Sequence, residues 1–94
     1  MKQVALVTGA ASSLGWTIAE YLAQEGYQVV VSDISLETAQ QSIAQSQYAD
    51  HLHALKLDIA QPDDFHQALN WIKTTFGRLD VAVNNAAVTK ATPV

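Results

Sequence analysis

The chain contains no cysteine, which excludes disulfides, thiolate metal sites and thiol nucleophiles outright. Basic residues are scarce: five Lys and Arg stand against nine Asp and Glu, for a net charge of −4. Nucleic acid and anionic membrane surfaces both reward clustered cations. The few here are scattered, so neither is an expected partner. No apolar run approaches the roughly 20 residues that a membrane span needs. Met1 and Lys2 lead straight into a short apolar run closed by a turn, so no secretory signal is expected either. Charged residues make up only 15% of the chain and apolar ones 49%, a globular balance rather than a disordered one. A length of 94 residues suits a single unit, 1–94, and not two domains. The missing cysteine also fits a cytoplasmic protein.

What is present is an alternation of two hydrophobic periods. Val4 to Val7 is a β-branched, apolar run closed by Thr8-Gly9 and reads as a strand buried on both faces. Leu14, Ile18 and Leu22, with Tyr21 and Glu25, then fall at helical steps, and Gly26 suits the C-terminal cap. Val29 to Val31 is a second strand ending at Ser32-Asp33. Ser35 caps a helix expected over 36–46, with a thin stripe of Leu36, Ala39 and Ile43. Leu52, Leu55 and Leu57 mark a third strand ending at Asp58-Ile59. Pro62, Asp63 and Asp64 suit the first turn of a third helix, whose stripe is Phe65, Leu69, Ile72 and Phe76 before Gly77. A fourth strand over 79–83 ends at Asn84-Asn85. The order β-α-β-α-β-α-β predicts an α/β fold, a doubly wound parallel sheet of Rossmann type, present in part with four strands and three helices. Right-handed crossovers place the first two helices on one face and the third on the other.

Ligands of such sheets bind beyond the carboxyl ends of the strands. All four predicted strands end in small or polar residues: Thr8-Gly9, Asp33, Asp58 and Asn84-Asn85. Thr8-Gly9-Ala10-Ala11-Ser12-Ser13-Leu14-Gly15 runs from strand to helix, where small residues and unpaired helical N–H groups suit a pyrophosphate. Taken alone it also reads, as the less favoured alternative, as a tight turn that binds nothing. Asp33 stands where a dinucleotide fold needs a carboxylate for the adenosine ribose hydroxyls. It would repel a 2′-phosphate, Ile34 follows it, and the glycine loop holds no Lys or Arg. NAD is therefore favoured over NADP.

Together these residues resemble the short-chain dehydrogenase/reductase family: Thr-Gly-x-x-x-x-x-Gly, an Asp after the second strand, Asp-Ile after the third and Asn-Asn-Ala after the fourth. The resemblance runs in order over essentially the whole chain. It implies that Gly9, Ser12, Leu14 and Gly15 surround the pyrophosphate and that Asp33 holds the adenosine ribose. Asp58 and Ile59 would flank the adenine, and Asn85 with Ala86 would line the cofactor towards the nicotinamide. Asn84 is expected to tie neighbouring strands as much as to touch a ligand. Two positions depart from the family pattern, which has glycine where Ser13 and Ala87 stand. A Cβ at either place crowds the cofactor or forbids a positive φ, although Ser13 can instead offer a phosphate its hydroxyl.

The family's Tyr-x-x-x-Lys, in which the lysine lowers the tyrosine pKa for proton transfer, is missing. Tyr21, Tyr27 and Tyr48 are followed four residues on by Glu25, Val31 and Leu52. A small-molecule substrate is thus expected only in a longer form. The leading reading is the NAD-binding portion of an oxidoreductase, with a non-catalytic dinucleotide-binding or interaction module as the alternative. A sugar-nucleotide epimerase relative stands behind both, because Ser12 occupies its middle glycine position. His51 and His53 lack a third ligand and make a poor metal site; they, with His66, are expected on the surface. Trp16 and Trp71 are expected to pack. A sheet ending at its fourth strand leaves an open edge, so the chain is expected to be a partial copy that self-associates.

Overall fold

The computed structural model describes residues 2–10 and 13–85, with Ser13 placed by its backbone only. Five strand residues in succession, Val4–Thr8 (β1), are buried, because helices cover both faces of the sheet at this strand. After β1 come α1 (Ser13–Gln24), β2 (Gln28–Asp33), α2 (Leu36–Ala44), a 3-10 turn (Ala49–His51), β3 (Leu52–Lys56), α3 (Pro62–Phe76) and β4 (Val81–Asn84). All pairings are parallel, in the order β3-β2-β1-β4. Val7, Val29, Val31 and Leu52 face α1 and α2 through Ala19, Ala23 and Ala39. Val4, Leu6 and Val30 face α3 through Ile72, with Leu69 and Phe76 at the margin. The α/β class, the parallel sheet and the two-to-one division of the helices are as the sequence predicts.

The buried stripe of α1 differs from the expected one. Gly15, Ala19 and Ala23 are buried, whereas Leu14 and Tyr21 are 56% and 61% exposed. Hydrophobic periodicity weights large side chains, but a helix lying directly on a sheet needs small ones along its closest line. Trp16, Ile18 and Leu22 then pack to either side. Past the helix end, Gly26 takes φ +98° while the Gly26 and Tyr27 N–H groups donate to Ala23 O and Leu22 O, the paired bonds of a Schellman cap.

Three boundaries also shift. The second helix stops at Ala44 rather than 46, because Ser46 leaves it to donate to Glu20 of α1 (2.9 Å) and to accept from the Tyr48 N–H (3.0 Å). Strand β3 stops at Lys56 rather than near 59, although Leu57 still donates to Asp33 O at 2.9 Å. Strand β4 begins at Val81 rather than 79. Its lead-in is a staple: the Asp80 carboxylate accepts from the Val4 N–H at 2.8 Å, and the Asp80 N–H donates to Val4 O at 2.8 Å. Arg78 grips the same carboxylate at 2.7 and 2.9 Å.

The Arg78 hydrogen bonds, and then the Val4 amide, hold the Asp80 carboxyl below its ordinary value of 3.8. A carboxyl depressed in the folded state stabilises the fold above its unfolded pKa, and that stability is lost as pH falls through the depressed value. Asp80→Asn is therefore expected to lower stability at neutral pH and to flatten the acid limb below about pH 4. Urea unfolding followed by circular dichroism at successive pH values measures both effects.

Candidate functional site at the strand ends

Parallel register brings the carboxyl ends of the strands into line. Thr8 pairs with Asn84, Val7 with Val31 and Asp33 with Lys56. With about 4.8 Å between neighbouring strands, the four ends span roughly 15 Å of one edge. Gly9, Asp33, Asp58, Ile59 and Asn85 all lie at or just past those ends, and α1 opens over the first of them. The side chain of Ser13, and Ser12, Ala86 and Ala87 altogether, lie outside the described residues.

The loop after β1 is fixed from three sides. Gly9 turns with φ +63°, a conformation that costs a residue with a side chain. The Ala10 N–H donates to Ser32 O at 3.0 Å, and the buried Ser32 hydroxyl donates to Val7 O at 2.9 Å. From β4, the Asn85 side-chain amide donates to Gly9 O at 3.2 Å, with Asn85 only 2% exposed. Thr8, also buried, donates its hydroxyl to Asn84 Oδ1 at 2.9 Å. Against this assembly α1 makes its closest approach at Gly15. A Cβ there would lie 2.5 Å from Gly9 O, 2.9 Å from Ala10 Cα and 3.0 Å from Asn85 Nδ2.

The two aspartates share one local geometry. Asp33 Oδ1 accepts from the Ser35 N–H at 3.1 Å, and Asp58 Oδ1 accepts from the Ala60 N–H at 3.0 Å. Each is an Asx turn, which satisfies the backbone as it leaves a strand and fixes the carboxylate on the edge. Asp58 is further tied by its N–H to Asp64 Oδ2 of α3 at 3.2 Å. Ile59 lines a groove of about 400 Å³ on the α3 side, with Leu6, Thr8, Pro62, Phe65 and Asn84. Leu14 stands exposed at the start of α1. Among the described residues no three His, Asp or Glu side chains converge as a metal site.

Three contributors escape a reading of the sequence. Ser32 and Thr8 act as internal ties, and the only hint is a polar residue at the end of each apolar run. Lys56 stands opposite Asp33 across β2 and β3, a basic neighbour that chain order hides because 23 positions separate the two. His51 and His53 are half-buried rather than solvated, since both rings bond to Gln28.

A family model described as short chain dehydrogenase matches residues 3–94. The chain belongs to the short chain dehydrogenase family. Cyclohexanol dehydrogenase of Acinetobacter sp. (strain SE19) is 42% identical over 92% of this chain and 35% of its own length. Diacetyl reductase [(S)-acetoin forming] of Staphylococcus epidermidis (strain ATCC 12228 / FDA PCI 1200) is 38% identical over 100% of this chain and 37% of its own. The menthone neomenthol reductase structure from Mentha piperita superposes with a TM-score of 0.82 at 30% identity, over 89% of this chain and 31% of that one. The chain thus spans about a third of the length of these relatives. Short chain dehydrogenases use nicotinamide dinucleotides, and in this chain the fixed loop, the two Asx carboxylates and the close approach of α1 stand together at the carboxyl ends of the strands.

Gly15 gives the sharpest test of that geometry. The two nearest atoms a Cβ would strike are backbone, which cannot swing away. Gly15→Ala is expected to cost about 1–3 kcal/mol of stability, in the range of overpacking a filled site. Denaturant unfolding measures it; an unchanged midpoint would show that the loop yields freely.

Proposed function

We infer that the strand-end edge binds NAD and that the chain supplies the dinucleotide-binding portion of an oxidoreductase acting between an alcohol and a carbonyl compound. The observation that carries this reading is the convergence of Gly9, Gly15, Asp33, Asp58 and Asn85 on one edge, with a cradle at Gly15 that a single Cβ would fill. In this reading Gly9, Ser12, Ser13, Leu14 and Gly15 border the pyrophosphate, which meets the positive end of α1. Asp33 accepts from the adenosine ribose hydroxyls, while Asp58 and Ile59 border the adenine. Asn85 acts by holding Gly9, and Ala86 continues the wall. When bound, the nicotinamide supplies the hydride chemistry; the residues of this chain bind, orient and shield. The names of the similar proteins, cyclohexanol dehydrogenase and diacetyl reductase, support an alcohol or ketone as substrate class. A cytoplasmic location belongs to the same reading.

The preference for NAD rests on which charge meets the ribose. Lys56 is exposed on an edge strand, whereas the Asp33 carboxylate is half-buried and fixed by the Ser35 N–H. The held carboxylate wins, because orienting it costs no further side-chain entropy. Asp33→Asn preserves the Oδ1 acceptor and removes the charge. A hydrogen bond to a charged group is worth about 1.5–3 kcal/mol, so NAD affinity is expected to fall about tenfold or more and discrimination against NADP to shrink. Isothermal titration with both dinucleotides measures this, and equal losses for the two would contradict the role given to the charge. The 94 residues carry no Tyr-x-x-x-Lys, so the chain alone binds the dinucleotide without turning it over.

The outer edge of β4 has no strand beside it among the described residues, and Ala82 is exposed there. Open apolar edges recruit strands from other chains. The 94-residue chain is accordingly expected to self-associate, with a mass that rises with concentration in light scattering. A single monomer mass across the accessible range would contradict this.

A further inference from the structure

At the opposite end of the sheet, a polar bridge stands apart from the dinucleotide reading. Gln28 opens β2, His53 is the second residue of β3, and His51 ends the 3-10 turn that leads into it. The Gln28 carboxamide lies between the two rings, with Oε1 2.7 Å from His53 Nε2 and Nε2 3.1 Å from His51 Nδ1. The His53 ring also meets Phe76, the last residue of α3, edge-on with centroids 5.1 Å apart. One bridge therefore joins the start of β2, the start of β3 and the end of α3.

A carboxamide has one accepting and one donating end. Whichever way round it sits, one imidazole nitrogen must donate to it and the other must accept. With both rings neutral, His53 Nε2–H donates to Oε1 and the Gln28 amide donates to His51 Nδ1. One added proton is tolerated, on the far nitrogen of His53 or on His51 if the amide turns over. Two are not. Both contacting nitrogens are then donors, one of them faces an NH₂ group, and the two rings carry like charges.

We propose that the Gln28 carboxamide joins His51 and His53 into an acid-sensitive clamp, which holds β3 and the end of α3 on β2 while the pair carries at most one proton and releases them when it carries two. The groups that face His53 fit this role. From β2 it meets the uncharged Gln28, from α3 the ring of Phe76, and from the turn His51; Asp50, next to His51, is exposed. Burial, and then the charge of His51, lower the His53 pKa from 6.5. A histidine depressed in the folded state contributes stability that is fully present above its unfolded value and is lost as pH falls towards the folded one. Release is thus an acid-side event, beginning below about pH 6.5.

The test is a nuclear magnetic resonance titration of the ring Cε1–H signals of the 94-residue chain, from about pH 8 to about pH 5. The clamp predicts that the pair takes up its protons in two steps, with His53 below its ordinary range. The second step should carry backbone amide changes at 28–30 and 51–54, with Gly9 and Asp33 unmoved. In His51→Gln those amide changes should vanish while His53 still titrates. A single shared step, or amide changes that persist unaltered in His51→Gln, would overturn the proposal. Gln28→Leu is a second variant, in which the separation of the two steps should shrink; an unchanged separation there counts against the clamp, and where that variant does not fold the His51→Gln result decides.

Discussion

The contact on which the strand-end architecture depends is the one made where Gly15 has no side chain. Because nothing projects from it, the first turn of α1 comes down onto Gly9 and Ala10, and Asn85 reaches the same place from the far side of β1. The loop after β1, the helix that follows it and the distant end of β4 thus close on one point. The helix then continues over the sheet on Ala19 and Ala23, small residues that keep the same close spacing. Had the helix lain on its large residues, it would have ridden higher and its N-terminus would not have met the loop. On the proposed reading, a dinucleotide phosphate would meet the positive end of α1 at this same glycine.

Much of this was legible in the sequence, for physical reasons that also mark where legibility stops. Fully buried strands such as Val4–Thr8 announce themselves as unbroken apolar runs, and the alternation with helices forces parallel pairing. The strand-end residues Gly9, Asp33, Asp58 and Asn85 are recognisable because each stands within two residues of the end of an apolar segment. The buried face of α1 is not legible in this way, since periodicity counts Leu14 and Tyr21 and overlooks Ala19. Boundaries moved where a single side chain intervened, as with Ser46 at the end of α2 and Asp80 ahead of β4. Cross-strand neighbours were beyond reach. That Lys56 faces Asp33, or that Gln28 lies between His51 and His53, follows from register, and register is set by the whole sheet.

The two ends of the sheet are built on different principles. At the carboxyl ends, backbone groups and short polar side chains hold one another rigidly: Thr8 to Asn84, Ser32 to Val7, and each aspartate to the N–H two residues on. At the amino ends, Asp80 and Arg78 staple β1 to the approach to β4, and the histidine bridge joins β2 to β3. These are titratable contacts. Along β2 the two ends are about 16 Å apart, at roughly 3.3 Å per residue, so the histidine bridge stands clear of the aspartates at the carboxyl edge. Membership of the short chain dehydrogenase family rests on the whole of this frame, whereas the proposed dinucleotide site involves the carboxyl edge alone.

The central claim, that this edge is where a nicotinamide dinucleotide binds, is tested most directly by mapping backbone amide shifts in the 94-residue chain as NAD is added. The account predicts saturable changes at Gly9, Ala10, Gly15, Asp33 and Asp58, and none at Gln28 or His53. Changes centred on the amino ends of the strands, or no saturable change at any strand end, would contradict it.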